Sequence, residues 1–443
     1  MKRFYIHKLG CPKNDVDADY LAGYLRQLQM IQVDSPEAAD LMIVNTCGFI
    51  QPAKEESIEA ILTLAQLKGI GIGRKLVVTG CLSQRYAASL REEVPELDGI
   101  FGIDAAATLG RFVGGAWLAT TAVSIAPLRY PEYGFSRTVD PNDVFAYLKI
   151  SDGCNNRCSY CAIPNIRGGF RSRTMEAVSE EARYLLDQGK RELILVSQEA
   201  TNYGLDIYGR AQLIPLLDKL TALDGGSGFW VRVMYLHPAR LSHELIDYMI
   251  DNPVVCAYFD VPLQHINDSI LQSMQRQATR SKIEAVLGHI RSRPERSAIR
   301  TTLIVGYPGE TEEEFDELSR FVEEQRFDRM GAFVYYPEDD TPAATLAGQL
   351  DDRVKQDRHA RLMALQQEIA FEQNQAEVGR QIEVLVETVD SSTAAAVGRS
   401  RFDAPEIDQT VRLDAMGLHP GDFITATITA TDGYDLIGIR GKA

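Results

Sequence analysis

The sequence predicts an α/β protein in three parts: an N-terminal doubly wound parallel sheet, a central partial (β/α)6 barrel and a small C-terminal antiparallel β-barrel. Over the first 125 residues, continuous apolar runs alternate with helical patterns, which is typical of a doubly wound parallel sheet. A longer series of the same alternation begins at residue 144, and short strands with Gly-rich turns close the chain. We therefore place the domains at 1–125, 144–372 and 373–443, with a linker over 126–143.

Three cysteines follow the predicted strands of the N-terminal sheet. The apolar runs and the helical patterns between them cover residues 4–6, 17–29, 41–44, 53–67 and 76–78. Cys11, Cys47 and Cys81, called here the N-terminal triplet, each come shortly after one of the apolar runs. Because parallel strands end at the same edge of a sheet, we expect these thiols to converge. The alternative is that each is a small apolar residue ending a buried strand.

The linker is indicated by turn-forming residues among polar and aromatic ones, namely Pro127, Pro131, Gly134 and Pro141. Beyond it, six strands are predicted at 144–150, 193–197, 230–236, 255–261, 299–305 and 331–335. Helices are predicted between and after them at 179–188, 214–223, 241–250, 282–293 and 311–326. Six units fall short of the eight of a closed barrel, so we predict an open-sided one.

The last part of the chain changes character. A charged amphipathic helix is predicted over 351–375, and short alternating strands follow, including 382–386 and 423–428. Short strands with Gly-rich turns and no helical pattern predict a small β-barrel.

The composition limits the class of protein. The chain has 443 residues, of which 45% are hydrophobic and 24% charged, as in ordinary globular proteins, and its net charge is −16. It has no apolar run of membrane-spanning length and no signal-peptide pattern, so we expect a cytoplasmic protein without a membrane partner. Clustered cysteines then indicate metal ligands or redox groups instead of disulfides. No coiled-coil pattern is present, and we expect a monomer.

A second set of cysteines lies just after the first predicted barrel strand. Cys154, Cys158 and Cys161, called here the central triplet, occupy the face where barrel enzymes place their active sites. Three thiolates suit an iron–sulfur cube, which ordinarily takes four cysteines, so one iron is left open. A structural zinc site is the main alternative and needs a fourth protein ligand. A redox dithiol is a weaker alternative.

The C-x3-C-x2-C spacing of the central triplet resembles that of the radical S-adenosylmethionine (SAM) superfamily. The resemblance implies a 4Fe-4S cluster whose open iron binds SAM, and reductive cleavage of SAM to a 5′-deoxyadenosyl radical. It also implies an electron donor such as flavodoxin. The cofactor contacts implied by matching positions are Tyr160, Ser197, Gln198, Glu199, Gln264, Arg300 and Gly306.

The whole layout is similar to the methylthiotransferase family, whose terminal barrel is called a TRAM module. The matching stretches are Gly10-Cys11-Pro12-Lys13-Asn14, Asn45-Thr46-Cys47-Gly48-Phe49-Ile50, Asp260-Val261-Pro262-Leu263-Gln264-His265 and Asp403-Ala404-Pro405-Glu406-Ile407-Asp408. They are closest to the branch that methylthiolates an aspartate of ribosomal small-subunit protein twelve. The resemblance implies a second 4Fe-4S cluster on the N-terminal triplet, carrying sulfide or polysulfide. It implies two SAM molecules, one as methyl donor and one as radical source.

Charge helps to choose the substrate. Residues 373–443 contain six Lys and Arg against eleven Asp and Glu, a net charge of −5. Such a module repels phosphate and attracts a basic protein, so we expect a basic ribosomal protein, free or in the ribosome, and only indirect contact with nucleic acid. A transfer-RNA methylthiotransferase and a non-catalytic iron–sulfur carrier or scaffold remain as alternatives.

Overall fold

The computed structural model describes residues 2–70, 73–114, 122–125, 137–223, 226, 228–390 and 392–441. Most of the predicted linker, 126–136, lies outside the described residues. Among the helices in the described ranges, none is both long enough and apolar enough to cross a membrane.

The N-terminal domain is a six-stranded, all-parallel sheet with the strand order β2-β1-β3-β4-β5-β6. Its strands are β1 (Arg3–Lys8), β2 (Ile31–Gln32), β3 (Leu41–Thr46), β4 (Lys75–Gly80), β5 (Gly99–Phe101) and β6 (Ala122–Ser124). Its helices are α1 (Pro12–Gln27), α2 (Gln51–Ile70), α3 (Cys81–Glu93) and α4 (Ala106–Gly114). Strand order reverses between β1 and β3, where ligands bind in sheets of this kind.

Two apolar clusters cover the two faces of this sheet. One packs β1 residues such as Phe4 and Ile6 against α1 and α4, and the other packs Met42 and Val44 of β3 against α2 and α3. The sheet is therefore doubly wound, as predicted, and the carboxyl ends of β1, β3 and β4 meet along one edge.

The central domain contains the six predicted parallel strands: β7 (Phe145–Lys149), β10 (Glu192–Val196), β11 (Trp230–Val233), β12 (Tyr258–Asp260), β13 (Ala298–Val305) and β14 (Arg329–Val334). They form two three-stranded sheets that meet at a bridge between Val231 and Val255. Within the described ranges no strand pair joins β14 back to β7, so the barrel is open on that side. A short ribbon, β8 (Ser151–Asp152) and β9 (Arg171–Ser172), flanks the central cysteines.

Helices cover the outside of the open barrel, and one large apolar cluster lies between them and the strands. They are α6 (Met175–Asp187), α8 (Leu213–Thr221), α9 (His243–Asp251), α10 (Asp268–Ser273), α11 (Arg280–Ser292) and α12 (Glu312–Gln325). Two short helices, α5 (Ile163–Arg167) and α7 (Leu205–Tyr208), lie in the connections that follow β8 and β10. Helix α13 (Asp352–Glu377) then leads to the terminal barrel, so the predicted boundary at 372/373 falls inside this helix.

The terminal domain is a closed five-stranded barrel of β15 (Gln381–Asp390), β16 (Ala395–Ser400), β17 (Val411–Asp414), β18 (Phe423–Asp432) and β19 (Asp435–Arg440). Its pairs are antiparallel, as predicted, apart from β17 with β19, which is parallel. Leu385 and Ala404 of this domain join an apolar cluster with Ile194, Trp230 and other inward-facing barrel residues. The terminal barrel thus closes the lumen from one side.

Candidate active site

The central triplet lies on residues 153–162, between the β8–β9 ribbon and α5. Main-chain hydrogen bonds hold this loop: Cys154 N donates to Gly168 O at 3.1 Å, and Ser159 N donates to Met274 O at 2.9 Å. Asn156 N lies 3.4 Å from Cys154 Sγ as a donor to sulfur. The loop is therefore shaped mainly by main-chain hydrogen bonds, and Cys154 Sγ accepts from a backbone N–H.

The N-terminal triplet is assembled by two glycines that let the cysteine loops touch. A Cβ added to Gly10 would lie 2.9 Å from Cys47 Cβ and 3.1 Å from Cys47 Sγ. A Cβ added to Gly48 would lie 2.7 Å from Leu82 Cα and 3.0 Å from Cys81 C. The loop carrying Cys11 thus lies against Cys47, and the loop carrying Cys47 lies against Cys81, so the predicted convergence of the three strand ends is present.

Burial favours the protonated form of two of the thiols, Cys81 and Cys161. Burial raises the pKa of Cys81 to about 12 and that of Cys161 to about 12. Because a metal binds the thiolate, loading of either triplet releases protons.

A zinc site and an iron–sulfur cube differ in how close together they need their cysteine ligands. Among the residues that the structure describes, no three His, Cys, Asp or Glu side chains surround one point as ligands of a single ion. A cube instead gives each cysteine its own iron, so its ligands are farther apart than those of a tetrahedral zinc site.

Apolar packing connects the loops that carry the two triplets. Cys81 packs in an apolar cluster with Ile103, Ala162 and Ile166, and Ala162 is the residue directly after Cys161. The ligand loops of the two triplets are therefore in contact across the interface between the N-terminal and central domains.

Arg167, at the end of α5, ties the two loops together electrostatically. Its side chain is 1% exposed; it donates to Asn14 Oδ1 at 2.5 Å and to Asp152 Oδ2 at 3.0 Å, and pairs with Asp17 at 3.1 Å. Burial alone would raise the pKa of Asp152, but Arg167 and Lys149 hold it well below its usual range. Asn14 and Asp17 belong to the helix that begins after Cys11, and Asp152 lies just before the central loop.

The end of β10 presents unpaired polar atoms where a cofactor was predicted. Ser197 Oγ and Gln198 Oε1 are buried and have no hydrogen-bond partner among the described residues, while Gln198 Nε2 donates to Asp152 Oδ1 at 3.0 Å. Buried polar groups without partners are rare, and a polar ligand would satisfy these two. This arrangement fits SAM, whose adenosine and amino-acid groups supply donors and acceptors.

Glu199 follows Gln198 at the end of β10, and the pKa of its carboxylate is shifted. It is buried, pairs with Arg240 at 3.4 Å and accepts from Asn202 N at 3.1 Å and from the Thr201 hydroxyl. Burial raises its pKa to about 7, although Arg240 opposes this. A carboxylate whose pKa lies near neutral pH can ionise to bind a cationic ligand.

Three further predicted contacts line the same end of the barrel. Gln264 has a left-handed backbone with φ +75° and bridges to Leu303, next to the carboxyl end of β13. Gly306 follows β13 with φ +74°, and its N donates to Glu310 Oε2 at 2.9 Å. Tyr160 packs on the aromatic cluster that contains Tyr307.

Arg300 is the predicted contact that the structure does not place with the others. It lies near the amino end of β13, donates to Asp260 Oδ1 at 2.9 Å and has Nε 3.8 Å from Asp408 Oδ1 of the terminal barrel. It therefore stands at the junction with the terminal barrel.

The sequence did not point to two positively charged side chains of the site, because each contacts a residue that is distant in the chain. Arg276 Nη1 lies 3.8 Å from Cys158 Sγ, and Lys13 Nζ lies 3.3 Å from the centroid of the Tyr235 ring. Lys13 stands in a quoted motif beside Cys11, but no spacing pointed to Tyr235. Two histidines that invite attention, His237 and His265, instead accept from nearby backbone N–H groups.

Three family models match successive parts of the chain. The model described as uncharacterized protein family UPF0004 matches residues 3–102, the radical SAM superfamily matches 148–322, and the TRAM domain matches 378–440. The order is that of the three domains, and each cysteine triplet falls within its own match.

Curated relatives match over nearly the whole length. A protein from Desulforamulus reducens named ribosomal protein uS12 methylthiotransferase RimO is 44% identical over 435 residues, covering 97% of each chain. A protein of the same name from Heliobacterium modesticaldum is 43% identical, covering 98% of this chain and 94% of the relative. The chain belongs to the RimO family. Membership in the RimO family confirms the predicted resemblance to methylthiotransferases.

Among solved structures, the radical SAM methyltransferase TsrM from Kitasatospora setae has a TM-score of 0.56 at 16% identity, covering 88% of this chain and 79% of that one. At this identity the likeness supports the fold alone. The fold of this RimO family member is therefore similar to that of a solved radical SAM enzyme.

Proposed function

We propose that this chain inserts a methylthio group at the β-carbon of an aspartate in ribosomal protein uS12. The observation that carries the proposal is the packing of the two ligand loops, in which Cys81 shares an apolar cluster with the residue following Cys161. Radical formation and sulfur delivery must occur in one cavity if the substrate carbon is to receive the sulfur before it reacts otherwise. The names of the RimO relatives support uS12 as the substrate.

In this proposal each triplet holds a 4Fe-4S cluster. When bound, the central cluster and one SAM supply the 5′-deoxyadenosyl radical, while a second SAM and sulfide or polysulfide on the N-terminal cluster supply the methylthio group. Electrons come from a donor such as flavodoxin. Ser197 and Gln198 would hold polar groups of SAM with their unpaired buried oxygens, and Glu199 would face its positive charge.

In this proposal the chain's own residues exclude water from between the two ligand loops and hold the loops in position. The contact of Ala162 and Ile166 with Cys81 excludes water between the two loops. Arg167 fixes Asn14 relative to Asp152 and so holds the two ligand loops in register. The apolar contact and Arg167 would thus position the two loops without touching the reacting atoms.

The terminal barrel supports a protein substrate over transfer RNA. Arg399 is buried against Glu192 at 2.6 Å, and Arg401 donates to the Val255 carbonyl at 2.8 Å. Arg412 pairs with Asp432 and Asp435. Arg399 is buried inside the molecule, and the exposed Arg412 is balanced by its two acidic partners, so these arginines offer little positive surface to phosphate, while the net negative charge of the module would attract a basic ribosomal protein.

The test offers the reconstituted enzyme, with SAM and a strong reductant, three substrates in parallel: free uS12, intact small ribosomal subunits and bulk transfer RNA. We expect uS12 to gain the mass of one methylthio group in place of one hydrogen, and transfer RNA to gain nothing. Modified transfer RNA with unmodified uS12 would contradict the proposal. Absence of SAM cleavage in every sample would favour the carrier or scaffold. Two cubes also require about eight iron atoms per chain.

A further inference from the structure

Lys13 is a largely buried lysine whose recorded side-chain contact, among the described residues, is with an aromatic ring. The residue is 7% exposed, and Nζ sits 3.3 Å above the Tyr235 ring. In the part of the chain that the structure describes, no hydrogen bond or ion pair is recorded for this nitrogen apart from the ring contact. A cation–π contact satisfies only part of the cost of burying a charge, so the site is poised for an anion.

The position of Lys13 joins the two halves of the candidate site. It is in the first turn of α1, two residues after Cys11, and its neighbour Asn14 touches Arg167. Tyr235 follows β11, and its carbonyl accepts from Ala200 N at 3.0 Å, next to Glu199. The ammonium thus lies between the N-terminal cysteine loops and the rim of the barrel.

The protein's own carboxylate on this rim is already engaged. Asp260 accepts from Tyr235 N at 2.9 Å and from Arg300 at 2.9 Å. Tyr235 also has a left-handed backbone, with φ +65°, which is uncommon for a residue with a side chain and recurs at functional sites. The turn at Tyr235 therefore presents an aromatic face to Lys13, while both oxygens of Asp260 accept hydrogen bonds from other groups.

We propose that Lys13 binds the carboxylate of the substrate aspartate, with Tyr235 as the platform beneath its ammonium; this rests on the proposed function. The β-carbon is one bond from the carboxylate carbon, so a charge-assisted hydrogen bond from Nζ fixes the carbon that loses hydrogen and gains sulfur. An adenine base has no carboxylate to offer, so the same contact also selects a protein substrate.

The test uses the reconstituted enzyme with SAM and two forms of uS12, one natural and one with the modified aspartate changed to Asn. Dissociation constants are measured by fluorescence anisotropy for the wild type, Lys13→Met, Lys13→Arg and Lys75→Met. Lys75 is the matched control, because it begins β4 at the opposite end of the sheet from the cysteines and pairs with Asp98. Iron content and SAM affinity are measured for every variant.

We expect the wild type and Lys75→Met to bind the Asp form about tenfold or more tightly than the Asn form. Lys13→Met should bind both forms alike, and Lys13→Arg should keep part of the preference, with iron content and SAM affinity unchanged. A purely structural role would lower iron content without removing the preference of the remaining loaded enzyme.

Two results would overturn the proposal: a wild type that binds the Asp and Asn forms equally, or a Lys13→Met enzyme that keeps the full preference. If Lys13→Met fails to load iron, the preference of the wild type and of Lys13→Arg for the Asp form over the Asn form still tests the proposal. Failure of the proposed function is seen separately, as wild-type enzyme that binds natural uS12 but adds no methylthio mass.

Discussion

Arg167 Nη2 donates to Asn14 Oδ1 at 2.5 Å, which joins the helix after the central cysteine loop to the helix that begins after Cys11. The same guanidinium pairs with Asp152 and Asp17, and its side chain is 1% exposed. A single buried cation therefore links the ligand loops of both cysteine triplets.

Replacing Arg167 tests this link. In Arg167→Met, Asp152 and Asp17 lose a buried partner, so we expect the free energy of unfolding to fall by roughly 3–5 kcal/mol and iron loading to drop. Urea unfolding and iron analysis measure both. The control is Arg3→Met, whose surface pair with Asp40 is about half exposed and should contribute under about 1 kcal/mol. Equal unfolding of the two variants would contradict the linking role.

Glu192 joins the terminal barrel to the central barrel. It is fully buried and accepts from Arg232 at 2.6 Å and from Arg399 at 2.6 Å. In Glu192→Gln the buried Arg232 loses its countercharge and Arg399 keeps only Glu387, so we expect a loss of about 3 kcal/mol in the free energy of unfolding and faster proteolysis of the terminal barrel. Asp432→Asn, which affects an exposed pair with Arg412, should change neither. Unchanged protease resistance in Glu192→Gln would show that apolar packing alone holds the domain.

Glu199 gives SAM binding a pH dependence. Burial raises its pKa to about 7, so the carboxylate is mostly protonated at pH 6 and mostly ionised at pH 8. If the ionised form faces the positive charge of SAM, wild-type affinity rises about tenfold between these pH values. Glu199→Gln should remove that rise, and calorimetry at pH 6, 7 and 8 compares the two. Titration of SAM itself affects both enzymes equally, so parallel profiles would refute a role for the carboxylate.

Much of this architecture was predictable from sequence, because hydrophobic periodicity indicates which segments form strands, although the observed ends of the central barrel strands differ from the predicted ones by up to three residues. All six barrel strands and the placement of Cys11, Cys47 and Cys81 after parallel strands were predicted, and the structure confirms them. The meeting of the triplets was not, because it depends on Ala162 touching Cys81 across two domains.

The remaining contacts depend on tertiary placement that no spacing encodes. Arg300 lies on the predicted strand. Its place at the junction with the terminal barrel is shown only by the approach of Asp408, which comes from that barrel. Lys13 and Tyr235 are separated by more than half the chain, and each is ordinary by itself. The assignments of Tyr160, Ser197, Gln198, Glu199, Gln264, Arg300 and Gly306 as cofactor contacts stay predictions.

The central claim is that sulfur reaches uS12 through the N-terminal triplet while the central triplet makes the radical. The most direct measurement is the intact mass of uS12, with SAM cleavage followed in the same reaction, for wild type, Cys47→Ala, Cys158→Ala and Cys256→Ala. Cys256 is the matched control because it is fully buried in the apolar cluster of the barrel. We predict that Cys256→Ala adds the methylthio mass as the wild type does, that Cys47→Ala cleaves SAM but adds nothing, and that Cys158→Ala does neither. Full methylthio transfer by Cys47→Ala would contradict the account.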